Sequence, residues 1–190
     1  MSGSHSGGPE PVWVDEVIRF WLVDTPAEMR FKKDAAFDED IRRRFGPLYE
    51  QIAASPPPAA TLKPRLALAT LIVLDQFSRN MFRGSAKAFA ADGKALDIAR
   101  AAVDSGLDRQ LDTTQRLFIY LPFEHSESLS DQIRSVELIA GLGNAEWDRY
   151  AIAHREIIER FGRFPHRNDV LGRHSTDAEI AFLKEPGSSF

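Results

Sequence analysis

LALATLIVLDQFSRNMFR, Leu66 to Arg83, joins the longest apolar run of the chain to a cluster of charge. An apolar run from Leu66 to Leu74, broken only by Thr70, leads directly into Asp75, Arg79 and Arg83. On an α-helix these three charged residues share one stripe, and that stripe extends the line of Leu68, Leu71 and Ile72. Charges on a core-facing line demand partners, because an unpaired buried charge costs several kcal/mol or more. The stretch therefore predicts a central helix carrying an ionic cluster inside a helical body. Such a cluster is either structural glue or the floor of a site.

Neighbouring segments repeat the same three- and four-residue spacing. Upstream, Val12 to Leu22 places Val14, Val17, Ile18 and Trp21 on one side, and Phe37 to Ala53 lines up Phe37, Ile41, Phe45, Leu48 and Ile52. Gly46-Pro47 should kink or split that second helix, and Ser55-Pro56-Pro57-Pro58 is a stiff connector. Downstream, Gly84 suits the C-cap of the central helix, and Gly93 is a break point in the alanine-rich segment Ala86 to Val103. Asp112 or Thr113 caps a helix that Pro122 should disturb, and Ser128 or Ser130 starts another that stops at Gly141. Ala145 to Phe161 gathers Trp147, Tyr150, Ala151, His154, Ile158 and Phe161 on one face, with Gly162 as its stop. Thr176 and Glu179 form a capping box for a last short helix, Asp177 to Lys184. No stretch sustains period-two alternation. The expected class is all-α, with about eight helices packed as antiparallel pairs. Residues 1–11 read as a disordered leader, 12–186 as one all-helical domain and 187–190 as a tail.

A chain of 190 residues suits one domain. Its net charge of -4 lacks the basic excess on which nucleic-acid binding draws. The absence of cysteine excludes disulfides, thiol catalysis and Cys-ligated metals. MSGSHSGGPEP has neither the basic nor the apolar region of a secretory signal, and the Leu66–Leu74 run is too short to span a bilayer. These features lead to the expectation of a cytoplasmic protein with no nucleic-acid and no membrane partner.

Four polar clusters attach to apolar helix faces. The first is Asp75, Arg79, Asn80 and Arg83, where an arginine facing a cavity would grip a carboxylate or phosphate. The second is RLFIYLPFEHSE, Arg116 to Glu127, in which Pro122 should loosen the helix and expose Glu124 and His125 inward, either as acid–base groups or as partners that satisfy backbone groups near the kink. The third is His154, alone on an apolar face; it gains significance if Glu124, His125 or an arginine reaches it. The fourth is RFGRFPHRNDVLGR, Arg160 to Arg173, a turn dense in cations that either caps a helix terminus or forms an anion pocket. His125, Glu127, His154 and His166 carry metal-binding atoms, but HExxH and paired ExxH spacings are missing, so no metal site is expected. No P-loop, GxGxxG or GxSxG occurs, so no cofactor is expected.

Taken together, LDQFSRNMFRG with AFAAD (Leu74–Gly84, Ala88–Asp92), RLFIYLPFEHSE and RFGRFPHRNDVLGR resemble the bacterial domain-of-unknown-function 924 family, over about Val12 to Leu183. The resemblance implies a tetratricopeptide-like right-handed superhelix of packed helix pairs. It implies no reaction, substrate or cofactor. Asp75, Arg79, Asn80, Glu124, His125, His166, Arg167 and Asn168 match positions that the family displays. The ~34-residue repeat of tetratricopeptide chains is not readable in this sequence.

Three functions compete. The leading expectation is a small anionic metabolite bound in a polar pocket, by Asp75, Arg79, Asn80, Arg83, His154, Arg163, Arg167 and Asn168, with Phe77 and Phe123 as walls. The second is a hydrolase or lyase with Glu124, His125 and His166 as acid and base. The third is a scaffold for a protein partner, in which the ionic clusters merely hold helices together.

Overall fold

The central helix is apolar all round because it is buried all round. In the computed structural model, which describes residues 9–189, every residue from Ala67 to Ser78 is buried. The rod comprises α3 (Pro64–Leu71), a π-helical stretch (Ile72–Phe77) and α4 (Ser78–Met81) without interruption. Around it pack α1 (Val12–Ile18, continuing as a π-helical stretch to Asp24), α2 (Ala35–Ala54), α5 (Asp92–Asp104) and α6 (Thr113–Glu124). α7 (Leu129–Ala140) lies on α6, α8 (Ala145–Phe161) lies on α7, and short α9 (Asp177–Phe182) follows. Among the described residues there is no strand, and no helix is long and apolar enough to cross a membrane. The fold is all-α.

Aromatic packing anchors the core. Phe77 meets Phe45 at a ring-centroid distance of 4.7 Å and Trp21 at 5.5 Å, edge-on in the second case, a favoured aromatic geometry. A smaller cluster of Ile157, Ile158, Phe164 and Phe182 sits under the C-terminal segment. Helix termini follow sequence chemistry. Asp34 and Asn144 cap α2 and α8, the Asp112–Gln115 and Thr176–Glu179 boxes open α6 and α9, and Gly162 closes α8 with φ +68°.

Several local expectations are corrected. α2 runs unbroken through Gly46-Pro47 and α6 runs unbroken through Pro122. At both places burial of flanking aromatics, Phe45 and Tyr49 or Phe118 and Phe123, outweighs the roughly 3 kcal/mol that an interior proline costs. The alanine-rich segment does divide, into a 3-10 turn (Ala86–Phe89) and α5, with Gly93 inside the first turn of α5. Residues 1–8 of the expected leader, and Phe190, lie outside the described residues. Glu10, inside the leader's expected span, pairs with Arg65 at 3.1 Å, and Ser188 of the expected tail is buried and donates to Leu183 O at 3.2 Å.

The predicted charged stripe is divided as well. A π turn spends more residues per turn than an α turn, so the line through Asp75, Arg79 and Arg83 does not keep one heading. Asp75 and Arg79 face α5 and α6, whereas Arg83 faces Asp38 on α2.

Candidate functional site

The π stretch and the end of α6 bring residues fifty positions apart into contact. Asp75, at 1 % exposure, is the hub. Its Oδ1 lies 2.7 Å from His125 Nδ1 and 3.0 Å from Arg79 Nη1, and its Oδ2 accepts from Gln76 Nε2 at 2.6 Å. Burial by itself would raise the Asp75 pKa, but Arg79 and His125 together outweigh it and hold the carboxyl well below the usual carboxylate range. An ionised Asp75 can only accept, so the Nδ1 proton belongs to His125. Burial, followed by Arg79, lowers the His125 pKa despite Asp75. The imidazole is therefore neutral at pH 7 and carries its lone pair on Nε2. Gln132 of α7 secures this helix end by donating to the carbonyls of Glu124 at 2.6 Å and Ser126 at 2.7 Å.

Behind His125 lie two more buried titratable groups. His154 Nδ1 is 2.8 Å from Tyr150 O and 3.3 Å from Glu124 Oε1. A backbone carbonyl only accepts, so this nitrogen carries the proton. Burial and His125 push the His154 pKa down to about 3, and burial with the Asp75 charge pushes Glu124 up to about 8. Both side chains are thus uncharged at neutral pH. One donor atom from each of Glu124, His125 and His154 lies within 4.8 Å of the others.

In front lies an arginine pair. Arg79 grips Asp92 with two bonds, 3.1 and 3.0 Å. Arg167 receives the smaller share: its Nη1 is 3.4 Å from Asp92 Oδ2, long for a charge-assisted bond, which ordinarily spans about 2.7–2.9 Å. Its Nε has no hydrogen-bond partner among the described residues. The guanidinium is sandwiched between Phe89 at 4.6 Å and Phe164 at 4.5 Å, and its side chain is 7 % exposed. Burial and then Arg79 lower its pKa to about 10, so it stays cationic at pH 7. Arg167 lines a cleft of ≈ 320 Å³ together with Phe89, Asp92, Pro122, His125 and Glu127.

Of the residues singled out in the sequence, Asp75, Arg79, Glu124, His125, His154 and Arg167 thus converge. Others stand apart. Asn80 and Arg83 both donate to Asp38, at 2.7 Å and at 2.7 and 2.9 Å. Arg163 clamps Glu179 at 2.6 and 2.8 Å. Asn168 donates to Ser175 Oγ at 3.0 Å and accepts from Arg173 at 2.9 Å. His166 packs on Phe164 with centroids 5.7 Å apart, and burial followed by Arg167 lowers its pKa to about 4. Glu127 is taken by Arg173 at 2.7 and 2.9 Å and by the Phe164 N–H. Phe77 and Phe123, expected as pocket walls, are fully buried in the main core. Sequence reasoning passed over Asp92 and Phe89, although both stand in the AFAAD segment. It also missed Asp38, which no local spacing links to Arg83.

A model of the family described as "Bacterial protein of unknown function (DUF924)" matches residues 17–187. The chain belongs to this family. The solved structure of a protein of unknown function from Agrobacterium tumefaciens, ATU0120, is similar to it at 37% identity and a TM-score of 0.85. The match covers 90% of this chain and 97% of that one. No curated protein matches. The family resemblance read from the three sequence segments is therefore established, and neither comparison carries an activity.

Proposed function

We propose that this family member binds a small anion, a carboxylate or phosphate ester, in the cleft between Phe89, His125 and Arg167. The observation that carries the reading is Arg167 itself. A buried guanidinium normally spends its donors on carboxylates or carbonyls, yet among the described residues this one makes only a 3.4 Å hydrogen bond, to an Asp92 already committed to Arg79. Its two phenyl neighbours hold the plane rigid, which lowers the entropy cost of gripping a ligand. The cleft volume suits a small molecule, at the lower end of the ~300–1,000 Å³ usual for such sites. A composition without cysteine is consistent with a reducing, cytoplasmic setting.

Among the acid–base candidates only His125 reaches the cleft lining. Glu124 is closed off at 4 % exposure. Binding is accordingly the reading the geometry favours over turnover by acid–base exchange alone. Asn80, Arg83 and Arg163 serve it indirectly, by fixing α4 on α2 and the 163–179 segment on itself.

The test is thermal unfolding in the presence of phosphate, sulfate and small mono- and dicarboxylates. A ligand at 100 times its Kd adds about 2.7 kcal/mol, which in a chain of this length raises Tm by roughly 5–10 °C. Arg167→Gln should cut the shift by about half or more while leaving the unliganded Tm within a few degrees. No shift with any anion at millimolar concentration would refute the reading.

A further inference from the structure

We propose that Glu124, His125 and His154 form a binding site for one divalent transition-metal ion of the zinc type, at the inner end of the cleft. Three observations carry this inference, and none depends on the anion reading.

The first is proximity. One donor atom from each residue lies within 4.8 Å of the other two. Ligands 2.0–2.2 Å from a common cation stand about 3–3.5 Å apart. The donor atoms therefore have to close by no more than about 2 Å to reach that spacing.

The second is the support behind each imidazole. Metal-ligating histidines almost always give their other ring N–H to a carboxylate or a backbone carbonyl, which fixes tautomer and orientation. Both arrangements occur here: His125 Nδ1 lies on the Asp75 carboxylate at 2.7 Å and His154 Nδ1 on the Tyr150 carbonyl at 2.8 Å. Asp75 is held in turn by Gln76 and Arg79, so the support extends one layer further. In each ring Nε2 is then the unprotonated nitrogen.

The third is Glu124. It is a 4 %-exposed carboxyl whose Oε1 lies 3.3 Å from His154 Nδ1. No arginine or lysine pairs with it among the described residues, although arginines meet Asp75, Asp92, Asp131 and Glu179. Keeping that carboxyl buried in its charged form would require a cationic partner. A divalent ion would supply that partner.

Two nitrogens and one carboxylate oxygen are a donor set suited to zinc, cobalt(II) or iron(II), and to neither calcium nor magnesium, which take oxygen ligands. Three protein ligands leave a coordination position open. His125 also lines the cleft, so an anion held there by Arg167 would lie beside the cation.

The test uses metal-free protein titrated with Co2+, whose visible spectrum reports coordination, and with Zn2+ in competition. The expected result is one tight equivalent with a saturating absorption band that one equivalent of Zn2+ displaces. Glu124→Gln is the deciding variant, because a neutral amide matches the uncharged carboxyl already present and the fold survives. Its Co2+ affinity should fall more than about 100-fold, beyond the ~10–100-fold cost of losing an outer partner. Arg167→Gln should keep the full Co2+ response, so failure of the anion reading leaves this result standing. Absence of a saturable equivalent in the wild type, or equal binding in Glu124→Gln, would overturn the proposal.

Discussion

His125 Nδ1 sits 2.7 Å from Asp75 Oδ1, and this contact joins the π stretch of the central helix to the C-terminal end of α6. The same Oδ1 is 3.0 Å from Arg79 Nη1. Removing the carboxylate would strip both partners at once in a site that is almost dry. Asp75→Ala should therefore destabilise by about 3–5 kcal/mol, measured by urea unfolding. Asp75→Asn should cost less, since an amide oxygen can still accept from His125. A cost under 1 kcal/mol for the alanine variant would show that the contact holds nothing.

A separate prediction concerns Asp38, which accepts from Asn80 and Arg83 across the α2–α4 interface. Hydrogen bonds to a charged group each contribute about 1.5–3 kcal/mol. The partly exposed Arg83 end is screened. Asp38→Ala should lower stability by about 2–3 kcal/mol and leave anion binding in the cleft unchanged. A matching loss of binding would mean that the two clusters are one functional unit.

Stability should peak near pH 6.5. His154 and His166 have folded pKa values of about 3 and about 4, below the ordinary 6.5, and His125 is lowered in the same direction. Groups depressed in this way stabilise fully above 6.5. Their contribution is lost as pH falls, at up to about 1.4 kcal/mol per pH unit for each extra proton bound by the unfolded chain. Glu124 has the opposite sign. Its folded pKa of about 8 stands above the unfolded 4.5, so its contribution is complete below 4.5 and is lost as pH rises through 8. Between 4.5 and 6.5 the histidines outnumber it, and from 6.5 to 8 it acts alone among these groups. Denaturation of metal-free protein across pH 4–9 should trace this dome.

The alkaline side of that dome identifies its own cause. Glu124→Gln cannot ionise, so the decline between pH 6.5 and 8 should disappear and the variant should match or exceed wild type at pH 8. A wild-type decline that persists in the variant would place the responsible group elsewhere.

Much of this arrangement was legible in the residues. The periodicity from Ala145 to Phe161 gave α8 to its end residues, and the Thr176–Glu179 pair gave the start of α9, because both signals are local. The central helix was visible as an apolar run, but its π stretch was not. Extra residues per turn leave no mark in composition, and the stripe through Asp75, Arg79 and Arg83 was read as continuous for that reason. Prolines 47 and 122 misled because their local cost is repaid by tertiary packing that sequence spacing does not display. Convergence of Asp75, Glu124, His125, His154 and Arg167 depends on how four segments stack, so each residue stood out chemically while their meeting stayed hidden. Glu124, His125 and His154 match no helix-spaced ligand motif, because they belong to the end of one helix and the middle of another.

Calorimetric titration distinguishes an Arg167 that anchors an anion from one that only packs between two rings. Wild type and Arg167→Gln would be titrated with inorganic phosphate and with succinate at low ionic strength. We expect saturable one-to-one binding of at least one anion by wild type, weakened about 10–100-fold in the variant, as loss of one or more charge-assisted bonds requires. Absence of binding in both proteins, or equal affinity in the two, would contradict the anchoring role.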